Sequence, residues 1–164
     1  MAVPANTLVD RPPMRTLVEE LEARRATARR GGGEERIARQ HAQDKLTARE
    51  RLDLLIDAGT WVELGIHGRP HFSQRAMEGK EAPADGVVTG YGKVDGRLVA
   101  VAAYDFTVMA GSMGMTGETK VARLRELALS KRIPLIWLLD SAGARIQEGV
   151  KAFFEKRDPV WKGR

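Results

Sequence analysis

Val87-Val88-Thr89-Gly90-Tyr91-Gly92-Lys93-Val94 and Arg97-Leu98-Val99-Ala100-Val101-Ala102-Ala103-Tyr104 are two β-rich runs separated only by Asp95-Gly96. Asp95-Gly96 is a two-residue turn of the favoured hairpin type. The spacing predicts a β-hairpin. Leu98 to Ala103 is apolar throughout, which predicts a strand buried on both faces. Next come Asp105 to Met109 and a small-residue stretch, Ala110-Gly111-Ser112-Met113-Gly114. From Gly117 to Ser130, Val121, Leu124, Leu127 and Ala128 recur at helical spacing, and Lys131-Arg132 suits the helix end. Ile133 to Leu139 is a second buried strand, opened by Pro134 and stopped by Asp140. Strand, strand, helix, strand is a ββα unit. The class is α/β, but without the βα alternation of a doubly wound nucleotide-binding sheet.

After that strand the chain reads Asp140-Ser141-Ala142-Gly143-Ala144-Arg145-Ile146-Gln147-Glu148-Gly149, with a helix start after the small residues. Ala110 to Gly114 has the same setting. Small residues between a strand and a helix usually permit close packing. They also let backbone N–H groups face a cavity, and N–H groups at a helix start suit an anion or a developing oxyanion.

Upstream, Met1 to Pro13 reads as a poorly ordered leader. Met14 to Arg30 is a helix whose apolar face is only Leu17, Val18 and Leu21, so it needs a partner surface. Gly31-Gly32-Gly33 stops it, and a second helical region begins near Glu34. Thr47-Ala48-Arg49-Glu50 has capping-box spacing. Leu52, Leu55 and Ile56 form the apolar face that follows, and Gly59 marks the stop. Trp61 to Leu64 is a short strand, and His67 to Ala84 is a loop. His67 and His71 are four apart, but Gly68 and Pro70 between them argue against a helix, and a third ligand is missing. No metal site is expected.

The chain has 164 residues, 43% apolar and 30% charged, and no cysteine. That describes a globular domain without a disulfide framework or thiolate metal site. No run reaches the length of a membrane span. Acidic residues appear early and the N-terminus has no apolar segment, so it is not a signal or transit peptide. The net charge of +5 lies at the two ends, up to Arg51 and from Lys151, around a near-neutral body. With 5% aromatics and no nucleic-acid motif, a DNA or RNA role is not expected. The absence of cysteine fits a reducing compartment, and a cytoplasmic setting is expected.

Two rival chemistries fail on spacing. Ala110 to Gly114 is one residue away from a nucleophile elbow, but His41, His67 and His71 all precede Ser112, whereas that motif needs its His later. Gly111, Gly114 and Gly117 are three apart, which fits neither dinucleotide nor P-loop spacing.

A longer series is more specific. Gly31 to His41, Lys45-Leu46-Thr47-Ala48-Arg49-Glu50-Arg51-Leu52, Asp85-Gly86-Val87-Val88-Thr89-Gly90-Tyr91-Gly92, Asp105-Phe106-Thr107-Val108 with Gly111-Ser112-Met113-Gly114, and Asp140 to Val150 follow one another in order. This series closely resembles the carboxyltransferase (beta) subunit of biotin-dependent acyl-CoA carboxylases of the propionyl-CoA and acetyl-CoA type. The resemblance runs from about Gly31 to Val150.

The resemblance implies a crotonase-like ββα spiral, here incomplete and preceded by N-terminal helices. It divides the chain into 1–30 (leader and helix), 31–150 (part of the N-terminal carboxyltransferase domain) and 151–164 (a tail unlike the family). It implies carboxyl transfer from carboxybiotin to the α-carbon of a short acyl-CoA, with decarboxylated biotin taking the α-proton and the protein stabilising an enolate oxygen. The backbone N–H groups of Ala142 and Gly143 would form the oxyanion hole, where many relatives carry Gly-Gly. Gly111, Ser112, Gly114 and Ala144 would line the acyl-CoA pocket. The implied partners are a biotin carboxylase/biotin carrier subunit, which carries the biotin, and further copies of the carboxyltransferase. Because family members are several-fold longer, the chain reads as a truncated front part. Two alternatives are an inactive remnant that binds only CoA or a partner subunit, and part of a biotin-dependent acyl-CoA decarboxylase.

Overall fold

The computed structural model describes residues 12–70, 77 and 79–146. The leader reading over residues 1–11, His71 and the tail from 147 onward lie outside the described residues.

The elements run α1 (Met14–Arg29), α2 (Glu34–His41), α3 (Ala48–Leu55), β1 (Val62–Leu64), β2 (Val87–Val94), β3 (Arg97–Tyr104), α4 (Met115–Lys131) and β4 (Leu135–Leu138). The four strands form one sheet in chain order. β1, β2 and β3 pair antiparallel; β4 returns through α4 to lie parallel to β3, with Ala102 opposite Trp137. This is one ββα turn of the crotonase-like arrangement. Asp95 and Gly96 have φ of +50° and +77°, as a type I′ turn requires.

Alternation along the strands gives the sheet two buried faces. On one side Val88, Val99, Val101 and Ala103 pack against Ala48, Leu52 and Ile56, the apolar side of the α3 region. On the other, Val87, Ala100, Ala102 and Tyr104 pack against Val121, Leu124 and Ala128 of α4. The side chains of β3 between the two helices are mostly alanine and valine, so both helices can sit close. Within the run Leu98 to Ala103, expected to be buried on both faces, Leu98 is 42% exposed.

The capping box of α3 forms as its spacing predicts. Glu50 N–H donates to Thr47 Oγ1 at 3.3 Å, and Thr47 N–H donates to Glu50 Oε2 at 2.7 Å. α3 ends at Leu55, earlier than Gly59 suggests. α1 buries only Ala28 and leaves Leu17, Val18 and Leu21 exposed. The α1–α2 junction is anchored instead by backbone: Gly32 N–H donates to Thr107 Oγ1 at 3.0 Å. A Cβ on Gly32 would strike the Thr107 carbonyl.

Candidate active site

Both small-residue loops leave the carboxyl ends of the parallel strands β3 and β4, where α/β folds place their ligands. They lie side by side as a short parallel ladder. Ala142 N–H donates to the Ala110 carbonyl, Met113 N–H to the Gly143 carbonyl and Arg145 N–H to the Met113 carbonyl, each at 2.9 Å. Such closeness requires glycine at Gly111, where a Cβ would run into the Asp140 carbonyl and meet Ser141 Cα at 3.3 Å.

The first loop is bent by left-handed backbone. Met109, Ala110 and Gly111 have φ of +49°, +54° and +61°. A second left-handed run, Ala84, Asp85 and Gly86 at +52°, +52° and +73°, precedes β2. Four of these six residues carry a Cβ, which makes the conformation costly, about 1–2 kcal/mol for each. The surroundings must therefore hold it in place.

Arg145 does much of that holding. Its guanidinium and the Asp85 carboxylate form an ion pair with both side chains 0% exposed, Nη1 donating to Oδ1. Nε donates to Ser112 Oγ at 3.1 Å, and Nη2 to the Ser112 carbonyl at 2.9 Å and the Asp85 carbonyl at 3.3 Å. Asp85 Oδ2 accepts the N–H of Gly117 at 2.6 Å, in the first turn of α4. The N-cap residue Gly114 has no side chain to do this, and a carboxylate at a helix start also meets the positive end of its dipole. A buried ion pair is tolerable only with its remaining donors and acceptors satisfied, and these contacts meet that condition. Lys120 of α4 adds a clamp on the same turn, its Nζ donating to the Ala84 carbonyl at 2.7 Å and the Val87 carbonyl at 2.6 Å. Burial pulls its ammonium down from 10.5 to about 8, against the nearby Glu63 and Asp85 carboxylates.

The second loop is also held from the α2 side. Buried Gln40 donates Nε2 to Asp140 Oδ2 at 2.9 Å, and Lys45 Nζ lies 3.7 Å from Asp140 Oδ1. The same ammonium sits 5.6 Å from the centre of the Phe106 ring.

The predicted site residues divide into two groups. Gly111, Ser112 and Gly114 are buried, with Ser112 and Gly114 against the Arg145 guanidinium. They sit at the base of the loops, Gly111 beside the Asp140 carbonyl and the other two beside Arg145. Ala142 and Ala144 are exposed and Gly143 is half-buried. The structure differs from the sequence expectation at Ala142, whose N–H is engaged by Ala110 because the loops pair in parallel. Gly143 has φ +96°, and no atom of the described residues lies within 4 Å of where its Cβ would be. Its N–H meets Ser141 Oγ at 3.0 Å, a local hydroxyl contact that a more basic oxygen can displace.

Two clefts lie elsewhere. One of about 290 Å³ lies between α1 and residues 66–70 and 79–84. The other, about 710 Å³, is walled by Gly31 to Arg36, Gly79 to Glu81, Pro83 and Met109. The larger one reaches the first loop only at Met109. Among the described residues no cluster of His, Cys, Asp and Glu is suited to a metal ion. No described helix is long and apolar enough to cross a membrane.

Asp85 and Arg145 stand in separate sequence blocks, and their meeting across 60 positions is not legible in either block. The available signal was a charged residue at the edge of an otherwise small or apolar block, twice.

Residues 39–156 match the family model described as carboxyl transferase domain. The chain is 45% identical over 137 residues to the propionyl-CoA carboxylase beta chain of Cereibacter sphaeroides, covering 84% of this chain and 27% of that one. It is 46% identical over 135 residues to the methylmalonyl-CoA decarboxylase subunit alpha of Veillonella parvula, covering 82% and 26%. Among solved structures, a hexameric transcarboxylase 12S with methylmalonyl-coenzyme A and methylmalonic acid bound superposes with a TM-score of 0.82 at 43% identity, over 89% of this chain and 29% of that one. The chain thus spans about a quarter of the length of these relatives. Sequence blocks, ββα topology and paired loops agree: the chain belongs to the carboxyl transferase domain family.

Proposed function

We propose that this chain is the N-terminal part of a carboxyltransferase component in a biotin-dependent acyl-CoA carboxylase. It would bind a short acyl-CoA with the thioester oxygen at the Gly143 N–H. The carrying observation is the second loop: a glycine whose N–H meets a local hydroxyl and whose Cβ position is open among the described residues, on a backbone fixed by the neighbouring loop and by a buried ion pair. A developing enolate oxygen is a stronger acceptor than the Ser141 hydroxyl and would take that N–H over. Ala142, as the second donor of the family pattern, would first have to release Ala110.

The donor set fits a carboxybiotin chemistry. Among the described residues, the carboxylates nearest the loops are committed, Asp85 to Arg145 and Gly117, and Asp140 to Gln40 and Lys45. A carboxybiotin on a partner carrier domain would supply both the carboxyl group and the base for the α-proton. Partners are then a biotin carboxylase/biotin carrier subunit and further copies of the carboxyltransferase, and the setting is cytoplasmic.

The second reading is an acyl-CoA decarboxylase. The Veillonella decarboxylase subunit is as similar to this chain as the Cereibacter carboxylase chain. The test is carboxyl transfer to propionyl-CoA by the assembled enzyme carrying this chain, wild type against Gly143→Val. A fall in turnover of roughly 10²–10³ is expected for loss of one oxyanion donor. Near-normal turnover removes this loop from the mechanism, and CO2 release from methylmalonyl-CoA without net carboxylation of propionyl-CoA selects the decarboxylase.

A further inference from the structure

We infer that the buried Arg145–Asp85 pair is a positioning device that sets the direction of the Gly143 N–H, and not merely a stabiliser of the fold. This rests on the reading of Gly143 as the oxyanion donor.

Arg145 is two residues beyond Gly143 on the same loop. Its backbone N–H donates to the Met113 carbonyl while its side chain turns beneath the loop. From there it holds three separate pieces of chain: Ser112 in the first loop, by hydroxyl and carbonyl; Asp85, by carboxylate and carbonyl; and, through Asp85 Oδ2, the first turn of α4. The left-handed run that ends at Gly86, and Gly114 of the first loop, lie against this guanidinium. The site of a Cβ on Gly86 lies 3.4 Å from Nη2, and that of a Cβ on Gly114 overlaps Nη1. The guanidinium is a planar fork with fixed directions. Fixing it in three directions fixes the loop backbone from which it springs, and Gly143 with it. A hydrophobic pair of equal volume would fill the space without setting an angle. An oxyanion donor has to be aimed before the charge develops, and the pair meets that need without touching substrate.

The test uses Asp85→Asn, an isosteric change that removes the charge but leaves a side chain able to accept. Arg145→Lys keeps the charge and removes the fork, and serves if the first variant folds poorly. Arg49→Ala, which breaks the Arg49–Glu63 pair between α3 and β1, is the control for general destabilisation. In the assembled enzyme, Asp85→Asn is expected to lower kcat by about 10- to 100-fold, the scale of a misplacement near 1 Å, with KM for acyl-CoA within about twofold. Hydrogen exchange over residues 139–146 should quicken by about tenfold in Asp85→Asn and stay unchanged in Arg49→Ala. Unchanged kcat per folded enzyme together with unchanged exchange in that segment would overturn the inference. If wild type transfers no carboxyl group, the functional reading fails by itself, and the exchange measurement alone then decides whether the pair positions the loop.

Discussion

Gly111→Ala tests the pairing of the two loops. Two costs add at this position. The first is conformational: φ is +61°, and an alanine there costs about 1–2 kcal/mol. The second is steric. The new Cβ overlaps the Asp140 carbonyl oxygen and stands 3.3 Å from Ser141 Cα. Both are backbone atoms, which cannot turn aside as a side-chain tip would, so one loop must move. Overpacking of this kind costs typically about 1–3 kcal/mol, which gives about 2–5 kcal/mol in total. Gly96→Ala separates the two costs. Gly96 has φ +77° with no atom of the described residues within 4 Å of the added Cβ, so it should lose only the conformational part, about 1–2 kcal/mol. The assay is guanidinium unfolding of wild type and both variants, compared at unchanged m-value. Gly111→Ala no more costly than Gly96→Ala would refute the close approach of the loops.

Thr47→Ala removes half of the capping box and should cost about 1 kcal/mol, read by the same unfolding assay. The Glu50 carboxyl is held at about 2, below its ordinary 4.5, chiefly by the His41 ring and then by the Thr47 N–H. Since its folded-state value is the lower one, Glu50's contribution to stability is complete above about pH 4.5 and is lost as pH falls toward 2. Glu50→Gln should flatten the acid limb in that window, and an unaltered limb would contradict the assignment. Lys120 runs in the opposite sense. Its folded-state value of about 8 lies below 10.5, so the unfolded chain binds more protons between the two, and stability from this group rises with pH from about 8 to 10.5. Lys120→Met should remove that slope. Arg49→Ala should cost about 2 kcal/mol, because the Glu63 carboxylate, 10% exposed, loses two charge-assisted bonds at 2.9 and 3.0 Å.

The legible parts of the chain were those fixed locally. Asp95-Gly96 specifies its own turn, Thr47 and Glu50 cap their own helix, and alternation along β2 and β3 sets their faces. Val121, Leu124 and Ala128 announced the buried stripe of α4, although the helix begins at Met115 and ends at Lys131, slightly outside the predicted span. The two loops were also visible, as runs of small residues after strands. What they do to each other was not. The Ala142 N–H reaches Ala110 only because β3 and β4 lie parallel and adjacent, and residue spacing does not encode that hydrogen bond. The left-handed turns were hidden for a related reason. Met109, Ala84 and Asp85 carry no intrinsic preference for positive φ strong enough to read, and tertiary contacts impose it. The Asp85–Arg145 pair joins two blocks 60 residues apart. Each residue looks like ordinary surface charge until the fold closes over both.

The central claim is that the Gly143 N–H binds the thioester oxygen of an acyl-CoA. The most direct measurement is difference infrared spectroscopy of propionyl-CoA labelled with 13C at its thioester carbonyl, bound to the enzyme carrying this chain. The account predicts that the carbonyl stretch moves to lower frequency on binding, and that Gly143→Val abolishes most of this shift while the CoA thioester still binds. A stretch at its solution frequency, or a shift equal in both proteins, would contradict it.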